Sequence, residues 1–522
     1  MALSDSFSKL TTHLIKVFET QEKELNDEKI TVNDLVSKVA YFYEKFRTSM
    51  DYGTEETIPR RAIERMLKRM LFLERKPKNV AEDLVRELIW AGYFPNATVP
   101  QSLIDRVSAS IRLHLSLKDK ISEKKFLKNE DVNELILEVL SCEIFYILIP
   151  NKEKEAVANF TFQILKDFID IDGDTKQTKD MQVLIAVRKS FAKDDPAFLK
   201  YLLFTQIFGR LTEENFNHVL DSFDKGYKEI KHQLSYPLKE RILGHIKKKI
   251  PPFLILYDIL ALEKGHIKTL SEEELKDRIF EACEKKYRTT KRKVRTAIIR
   301  SFIFILFTKA IIALAIEGTF ESLFLGQIQW FSMMLNTILP PSIMIAAGLA
   351  IRTPNRENSE VIYNYIQKIL FEENPAIANT LMLKLKTNTT RTLKNYVFSI
   401  LWIISIILTL GVIWLVLDKL NFNALSKGIF IFFIAVISFL SYRIYQTADT
   451  YKVLKRPNLL TPLFDFFFVP IIRVGQRLTE GVVQINFLLI AIDFIIEAPF
   501  KSLIGFFEQW FLFVANKREE IE

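Results

Sequence analysis

The stretch KKYRTTKRKVRTAIIRSFIFILFTKAIIALAI, residues 285–316, decides the fold class of this chain. After Arg300 only one charged residue, Lys309, interrupts the apolar run. A basic flank followed by about 20 apolar residues is typical of a membrane-spanning helix held at its cytoplasmic end. The basic residues of the flank are Lys285, Lys286, Arg288, Lys291, Arg292, Lys293, Arg295 and Arg300.

The charge distribution divides the 522 residues into two unlike halves. Up to Glu284 the chain has 45 basic and 47 acidic residues, whereas the remainder has 27 basic and 16 acidic residues. The net charge of +9 therefore comes from the apolar half, and the juxtamembrane segment 285–300 supplies most of it. This disfavours a nucleic-acid-binding domain, which would carry its basic excess on a soluble face. It predicts that the eight basic residues contact the anionic headgroups of a lipid bilayer.

The first half, residues 1–284, has the pattern of a soluble domain of successive amphipathic helices. Leu35, Val39, Phe42 and Phe46 repeat at helical spacing, as do several later sets, and turn sequences separate them. Alternating β-branched runs are lacking, so we expect little sheet. A sub-boundary near residues 172–179, where polar residues crowd, is also considered.

Cysteine content and the N-terminal sequence indicate a cytoplasmic location for this half. Cys142 and Cys283 are the only cysteines and cannot form a disulfide framework, which suits a reducing compartment. The first thirty residues contain no signal-peptide apolar region, so we expect the internal apolar helices to direct insertion.

The sequence gives no reason to expect a metal or cofactor. Asp170, Asp172 and Asp174 resemble part of a calcium loop, but Thr175 and Met181 stand where that loop needs a glycine and a glutamate. We therefore interpret this stretch as an acidic turn at the end of a helix. No two histidines lie three or four residues apart, and the common nucleotide, zinc and hydrolase motifs are missing, which disfavours an enzyme.

One basic stripe in the soluble half is a candidate partner face. Its four side chains share one side of a predicted helix, and they could bind an acidic partner or lipid headgroups. The alternative is a solvated face partly neutralised by nearby acids, which is the more common situation. The stripe consists of Arg61, Arg65, Lys68 and Arg69.

The second half predicts a transmembrane domain, residues 297–456, with spans at about 297–316, 329–351, 396–417 and 428–445. The linker 318–328 has no Lys or Arg, whereas the linker 352–395 has seven. The positive-inside rule then places both chain termini in the cytoplasm, in the inner (cell) membrane of a prokaryotic-type cell. We disfavour a re-entrant second segment, because it would place the seven-charge linker outside.

Two features of this half are candidates for function. Pro340 and Pro341 predict a kink or break in the second span, since proline removes a backbone donor. Lys309 is a charge within an apolar span, which is a functional-site hypothesis by default. Glu317 and Glu321, nearer the outer end of the span, are expected to reach water.

Residues 457–522 predict amphipathic, hydrophobic C-terminal helices. Asp493 and Glu497 belong to a narrow polar stripe on an otherwise apolar helix. Such a helix can lie in the membrane interface, or span the membrane with its stripe turned toward Lys309 or Arg473. We favour the interfacial arrangement because both chain ends then stay inside without further spans. The candidate intramembrane polar site consists of Lys309, Arg473, Asp493 and Glu497.

The predicted fold class is thus all-α, a soluble multi-helix cytoplasmic domain followed by a polytopic helical membrane domain. Three functions are weighed. The first is a membrane-anchored scaffold or adaptor that binds a cytoplasmic protein or associates with itself. The second is a channel or transporter built on the broken second span and the intramembrane charges. The third, a lipid-acting enzyme, has only scattered carboxylates in its favour.

Overall fold

The structure, a computed structural model, describes residues 7–20, 27–49, 57–72, 77–124, 128–264, 266–375, 380–385, 393–453 and 469–478, with scattered residues between 503 and 517. Nearly all of these residues are helical, as the sequence predicts. The helices of the soluble half are α1 (Lys9–Glu19), α2 (Asp34–Ser49), α3 (Ile58–Phe72), α4 (Pro77–Trp90), α5 (Ser102–Lys124), α6 (Asn129–Leu148), α7 (Lys152–Leu165), α8 (Lys176–Val187), α9 (Pro196–Phe208), α10 (Phe216–Leu234), α11 (Lys239–Lys247) and α12 (Pro251–Glu263).

The soluble half has three large buried cores within the described residues. One core joins α3, α4, α5 and α6, and a second joins α5, α6, α9 and α10. The third core includes α1, α7, α8 and α12. Ile171 and Val183 both lie in this third core, on either side of residues 172–179. The third core is therefore continuous across these residues, and the sub-boundary considered there stays a prediction.

A long helix, α13 (Glu272–Ile312), connects the soluble half to the apolar half. It begins at a capping box, in which the Ser271 hydroxyl accepts from the Glu274 amide and the Glu274 carboxylate accepts from the Ser271 amide. Its first turns bury Leu275, Ile279 and Cys283 in the third soluble core. With 41 residues it is about 60 Å long, and it runs without a break through the predicted boundary at residue 284.

The linker between the second and third spans folds onto the soluble half. It contains α15 (Arg356–Phe371) and a strand, β2 (Leu381–Lys384), which pairs in parallel with β1 (Ile169–Asp172). Asp170 and Asp172, predicted as part of a turn, therefore lie in a strand, because Ile169 and Ile171 alternate inward and pack in the core with Leu383. The turn follows at Gly173 and Asp174. Only this short sheet is present in the described part of the chain. The linker thus lies on the same side of the spans as the soluble half.

Four helices among the described residues are long and apolar enough to cross a membrane. They are α13 with its continuation to Phe324, α14 (Trp330–Ala350), α16 (Leu393–Lys419) and α17 (Ala424–Ala448). Only 17% of the most apolar window of α16 is buried, and such a surface needs an apolar environment. α13, α14 and α17 pack together as a bundle, and α16 lies against α17.

The two prolines of α14 do not interrupt the helix. α14 runs from Trp330 to Ala350 with Pro340 and Pro341 inside it, both buried. Of the predicted kink or break, the break does not occur, since α13 and α17 pack along this helix, and the kink stays a prediction. The prolines still lack amide hydrogens, so the carbonyl groups of Asn336 and Thr337 have no regular helical donor.

A further helical segment, residues 469–478, packs against α16 and α17. A Cβ atom at Gly475 would lie 1.9 Å from the Ala435 carbonyl oxygen, near the middle of α17, so only glycine permits this approach. Pro470 and Ile471 lie beside Ile406 of α16. These ten residues therefore lie at the depth of the candidate spans, whereas the sequence favours an interfacial position for them.

Candidate functional site: a buried polar centre between three helices

The centre begins with an ion pair within the first candidate span. The Lys309 ammonium lies 2.5 Å from Oε1 of Glu317, and both side chains are fully buried. The sequence expectation that Glu317 reaches water is wrong, and so is the same expectation for Glu321, which is 1% exposed. The reason is that both carboxylates lie on the face of the helix that α14 and α17 cover.

A local change of helix type brings the two charges onto one face. Residues Ala313–Gly318 form a π turn, which holds one more residue per hydrogen-bonded ring than an α-helix. Eight residues of regular α-helix would place Lys309 and Glu317 roughly 80° apart around the axis. One inserted residue reduces this to roughly 20°, because the eight residues then turn like about seven. π turns of this kind are frequent at functional sites.

The second oxygen of Glu317 connects α13 to the other two helices of the bundle. Oε2 accepts from Asn336 Nδ2 of α14 at 2.7 Å and from the Ser426 hydroxyl of α17 at 3.1 Å. Asn336 Nδ2 also lies 3.4 Å from the Ser426 carbonyl oxygen. One carboxylate thus holds three helices together.

A second layer of polar contacts surrounds the ends of the helices. Glu321 accepts from the Gln329 amide at 2.8 Å and from Asn423 Nδ2 at 2.6 Å. Asn423 in turn caps α17 by accepting from the Ser426 amide at 2.8 Å. Polar groups therefore extend from the turns before α14 and α17 inward to Lys309, twelve residues deeper along the first helix.

The surroundings of two atoms, Lys309 Nζ and Asn336 Oδ1, distinguish the centre from a simple salt bridge. The Lys309 ammonium lies 5.3 Å from the centre of the Phe433 ring, a cation–π contact. Asn336 Oδ1 is buried and makes no hydrogen bond within the described residues, although Asn336 is 0% exposed. An unsatisfied buried polar atom costs about 1–3 kcal/mol, so natural proteins rarely keep one without a use.

No family model, curated protein or solved structure matches this chain. Burying two charges is expensive, and their attraction repays the cost only when hydrogen bonds satisfy the remaining atoms. Here Asn336 and Ser426 donate hydrogen bonds to the second oxygen of Glu317, so the carboxylate is satisfied. Asn336 Oδ1 has no hydrogen-bond partner within the described residues.

Of the predicted site residues that the structure describes, only Lys309 lies in this centre. Arg473 is exposed, and its guanidinium lies 5.0 Å from the Trp402 ring on the α16 side. Asp493 and Glu497 lie outside the described residues. Asn336 and Ser426 were not predicted from the sequence. Both are polar residues in apolar stretches, which is a signal that could have identified them, but the sequence does not show that they face one another.

The predicted partner face in the soluble half is engaged in internal ion pairs. Arg69 donates to Glu87 Oε1 at 2.6 Å and is buried with it, and Arg65 donates to Glu44 at 2.5 Å. Lys68 pairs with Glu64 at 2.6 Å, and Arg61 lies 3.4 Å from Asp195. Other elements supply the acid for Arg61, Arg65 and Arg69, and α3 itself supplies Glu64 for Lys68, which agrees with the alternative of a partly neutralised face. Binding of a partner at this stripe stays a prediction.

The juxtamembrane basic residues lie on the surface of α13. Lys286 is half-buried and pairs with Asp258 at 2.8 Å, and Arg288 pairs with Glu284 at 2.8 Å. The other six, Lys285, Lys291, Arg292, Lys293, Arg295 and Arg300, are exposed. In the described part of the chain, no group of three His, Cys, Asp or Glu side chains could hold a metal ion.

Proposed function

We propose that this is a multi-pass integral membrane protein in which the centre around Glu317 binds a proton or small cation during transport across the membrane. The observation that carries the proposal is the fully buried Lys309–Glu317 pair, tied to three helices by Asn336 and Ser426. Ionisable groups within spans are costly, and where they occur they commonly mark ion pathways and proton relays. The polar groups leading inward from Glu321 and Asn423 supply one half of such a path.

A flux assay on the full chain tests this proposal. The purified protein is reconstituted into liposomes, and uptake of protons, sodium and potassium is followed with ion-sensitive dyes under an imposed gradient. We expect flux with the wild type and a loss of at least tenfold with Glu317→Gln. Asp418→Asn is the matched control, because Asp418 is an exposed acid in the last turn of α16. Absence of flux with the wild type, or full flux with Glu317→Gln, contradicts the proposal.

The orientation that we propose places the soluble half and both chain termini in the cytoplasm, in a prokaryotic-type inner membrane. The pairing of β1 with β2 supports the placement of the soluble half and the 352–395 linker on the same side of the membrane. The charge bias between linkers supports the cytoplasm as that side. The exposed basic residues of α13 would then meet anionic headgroups, each contributing about 1 kcal/mol.

Cysteine labelling of intact cells tests the orientation. Cys142 and Cys283 are buried, and burial raises the pKa of the Cys142 thiol, so the background labelling will be low. Single cysteines replace the exposed residues Gln327, Lys419 and Lys368. We expect an impermeant maleimide to label the first two from outside, and Lys368→Cys only after lysis. The opposite pattern contradicts the proposed topology.

A second candidate function is a membrane-anchored scaffold. Its support is that α13 runs without interruption from the third soluble core into the bundle, and that α15 and β2 fasten the linker to the same core. A partner bound to the soluble half would therefore be held firmly at the membrane surface. Two exposed apolar residues of α2, Val39 and Phe42, offer such a partner an apolar contact.

A comparison of two full-length proteins tests the scaffold. The wild type and the Val39→Ser/Phe42→Ser variant are solubilised, crosslinked and purified, and the mass of each complex is measured by light scattering. We expect a stoichiometric complex, with a partner or with a second copy, that the double variant loses. Identical complexes in both proteins, or a bare monomer in both, count against this function.

A further inference from the structure

Oxygen atoms from three helices lie around the Glu317 carboxylate, which pairs with the Lys309 ammonium. Glu317 Oε1 contacts the ammonium, and Glu317 Oε2 lies within hydrogen-bonding distance of Asn336 and Ser426. The Ser426 carbonyl oxygen faces the same amide group of Asn336. Carboxylate, hydroxyl and carbonyl oxygens are the atoms that replace the hydration shell of a hard cation in proteins.

The Asn336 side chain can add one more oxygen to this set. Its Nδ2 now donates toward Glu317 and Ser426, while its Oδ1 makes no hydrogen bond within the described residues. Rotation of the amide by half a turn would exchange the two atoms and place Oδ1 beside the carboxylate. That orientation is repulsive for an empty carboxylate and favourable when a cation lies between the oxygens.

The prolines of α14 release further acceptors next to the same residue. Pro340 and Pro341 have no amide hydrogen, so the carbonyl groups of Asn336 and Thr337 lack their regular helical donor. Both prolines are buried. Within a membrane, carbonyl groups freed in this way need another polar partner, and a bound cation would supply one.

We propose that these oxygens form a binding site for a dehydrated monovalent cation, which the Lys309 ammonium occupies in this structure. The inference rests on the proposed function and names its substrate class, a sodium-sized or potassium-sized ion. Lys309 is a tethered cation on a flexible four-carbon stem, so it can leave the oxygens and return. A free cation would take its place, and the two would alternate at Glu317.

The charge of the site favours a monovalent ion over a divalent one. Among the described residues Glu317 is the single carboxylate in contact with Lys309, so one positive charge neutralises this carboxylate. Ca²⁺ and Mg²⁺ sites use several carboxylates or retained waters, which a fully buried position beside Phe433 does not supply.

Thermal unfolding of the full chain in lipid nanodiscs tests the site directly. Lys309→Met removes the tethered ammonium and keeps most of the side-chain volume. Its unfolding midpoint is measured while sodium chloride, and separately potassium chloride, replaces choline chloride at constant ionic strength. We expect the midpoint of Lys309→Met to rise by several degrees and to keep rising with the logarithm of the ion concentration. The wild type should respond much less, because Lys309 holds the oxygens.

Two variants control the measurement. Lys427→Met removes an ammonium that pairs with Asp418 and makes no contact with Glu317, so its response should match the wild type. Lys309→Met/Glu317→Gln should lose the response. Should Lys309→Met fail to fold, Asn336→Asp replaces it. This variant adds a second carboxylate beside Lys309 and should bind a cation together with the ammonium.

The outcomes separate this inference from the proposed function. A midpoint that responds to acid and not to sodium or potassium overturns the cation site and identifies a proton as the ligand. Lack of response to any of the three, in both Lys309→Met and Asn336→Asp, also overturns it. The measurement needs no transport, so wild-type protein without flux but with a cation-dependent variant would refute transport alone.

Discussion

Replacement of Lys309 by methionine should destabilise the bundle strongly, and the structure sets the size of the effect. Both members of the Lys309–Glu317 pair are fully buried. Removal of one member of a buried ion pair costs about 3–5 kcal/mol, because the other charge stays in an apolar environment without compensation. Glu317 keeps its hydrogen bonds from Asn336 and Ser426, so we expect the lower end, about 3 kcal/mol.

The double variant Lys309→Met/Glu317→Gln should recover most of this loss. A glutamine at 317 is neutral and can still accept hydrogen bonds from Asn336 and Ser426. We expect it to unfold within about 1 kcal/mol of the wild type, since neutral replacement of a whole buried pair is often nearly free of cost. The difference between the single and double variants is the coupling free energy of the pair.

The assay is thermal unfolding in nanodiscs with choline as the only small cation, followed by tryptophan fluorescence. A loss of 3 kcal/mol corresponds to a shift of about 6–12 °C if the cooperative unit has 150–250 residues. The reasoning is refuted if Lys309→Met unfolds within about 1 kcal/mol of the wild type. It is also refuted if the effects of the two substitutions simply add.

Three further predictions concern other parts of the molecule. Gly475→Val should lower the thermal midpoint by several degrees, because a Cβ atom there meets the Ala435 carbonyl oxygen, whereas Gly411→Ala, with open space around it, should leave the midpoint unchanged. Arg69→Met should cost about 3 kcal/mol in unfolding, because it removes one member of a buried ion pair, and Arg112→Met, which breaks an exposed pair with Glu213, should cost less than 1 kcal/mol; equal losses would contradict the burial argument. Burial and the neighbouring Lys249 and Lys248 lower the pKa of His245, so the unfolded chain takes up the proton first and stability falls as the pH drops below about 6.5. His245→Gln should show a smaller decrease in midpoint between pH 7.5 and 5.5 than the wild type, and an unchanged decrease would show that other groups cause it.

Sequence reasoning predicted the architecture well where periodicity and hydropathy carry the signal. The basic flank before Ala297 predicted the first candidate span, and the other three follow from apolar runs of sufficient length. These features are local, so a single stretch of sequence contains them. The capping box at Ser271 is a further example, because its two partners are three residues apart.

The polar centre was only partly predictable, because its members come together through tertiary packing. Lys309 was identified as a costly charge, but its partner Glu317 was assigned to water. In a regular α-helix Glu317 would lie on a different face from Lys309. The π turn places both on one face, and no sequence pattern predicts that turn. The acidic partners of the stripe from Arg61 to Arg69 were not identifiable for a similar reason, since Glu44, Glu87 and Asp195 lie on other elements.

The pairing of β1 with β2 also imposes an order on biosynthesis. Residues 169–172 can pair only after residues 381–384 have been synthesised, more than 200 residues later in the chain. Two candidate spans lie between the two strands in sequence. The third soluble core also buries Ile362 and Ile366 of α15, so it cannot close until the ribosome has passed the second span. Until then its apolar surface needs protection, and a nascent chain stalled before residue 356 should bind chaperones that the finished protein does not. Failure of the first two spans to insert would therefore leave the third soluble core incomplete.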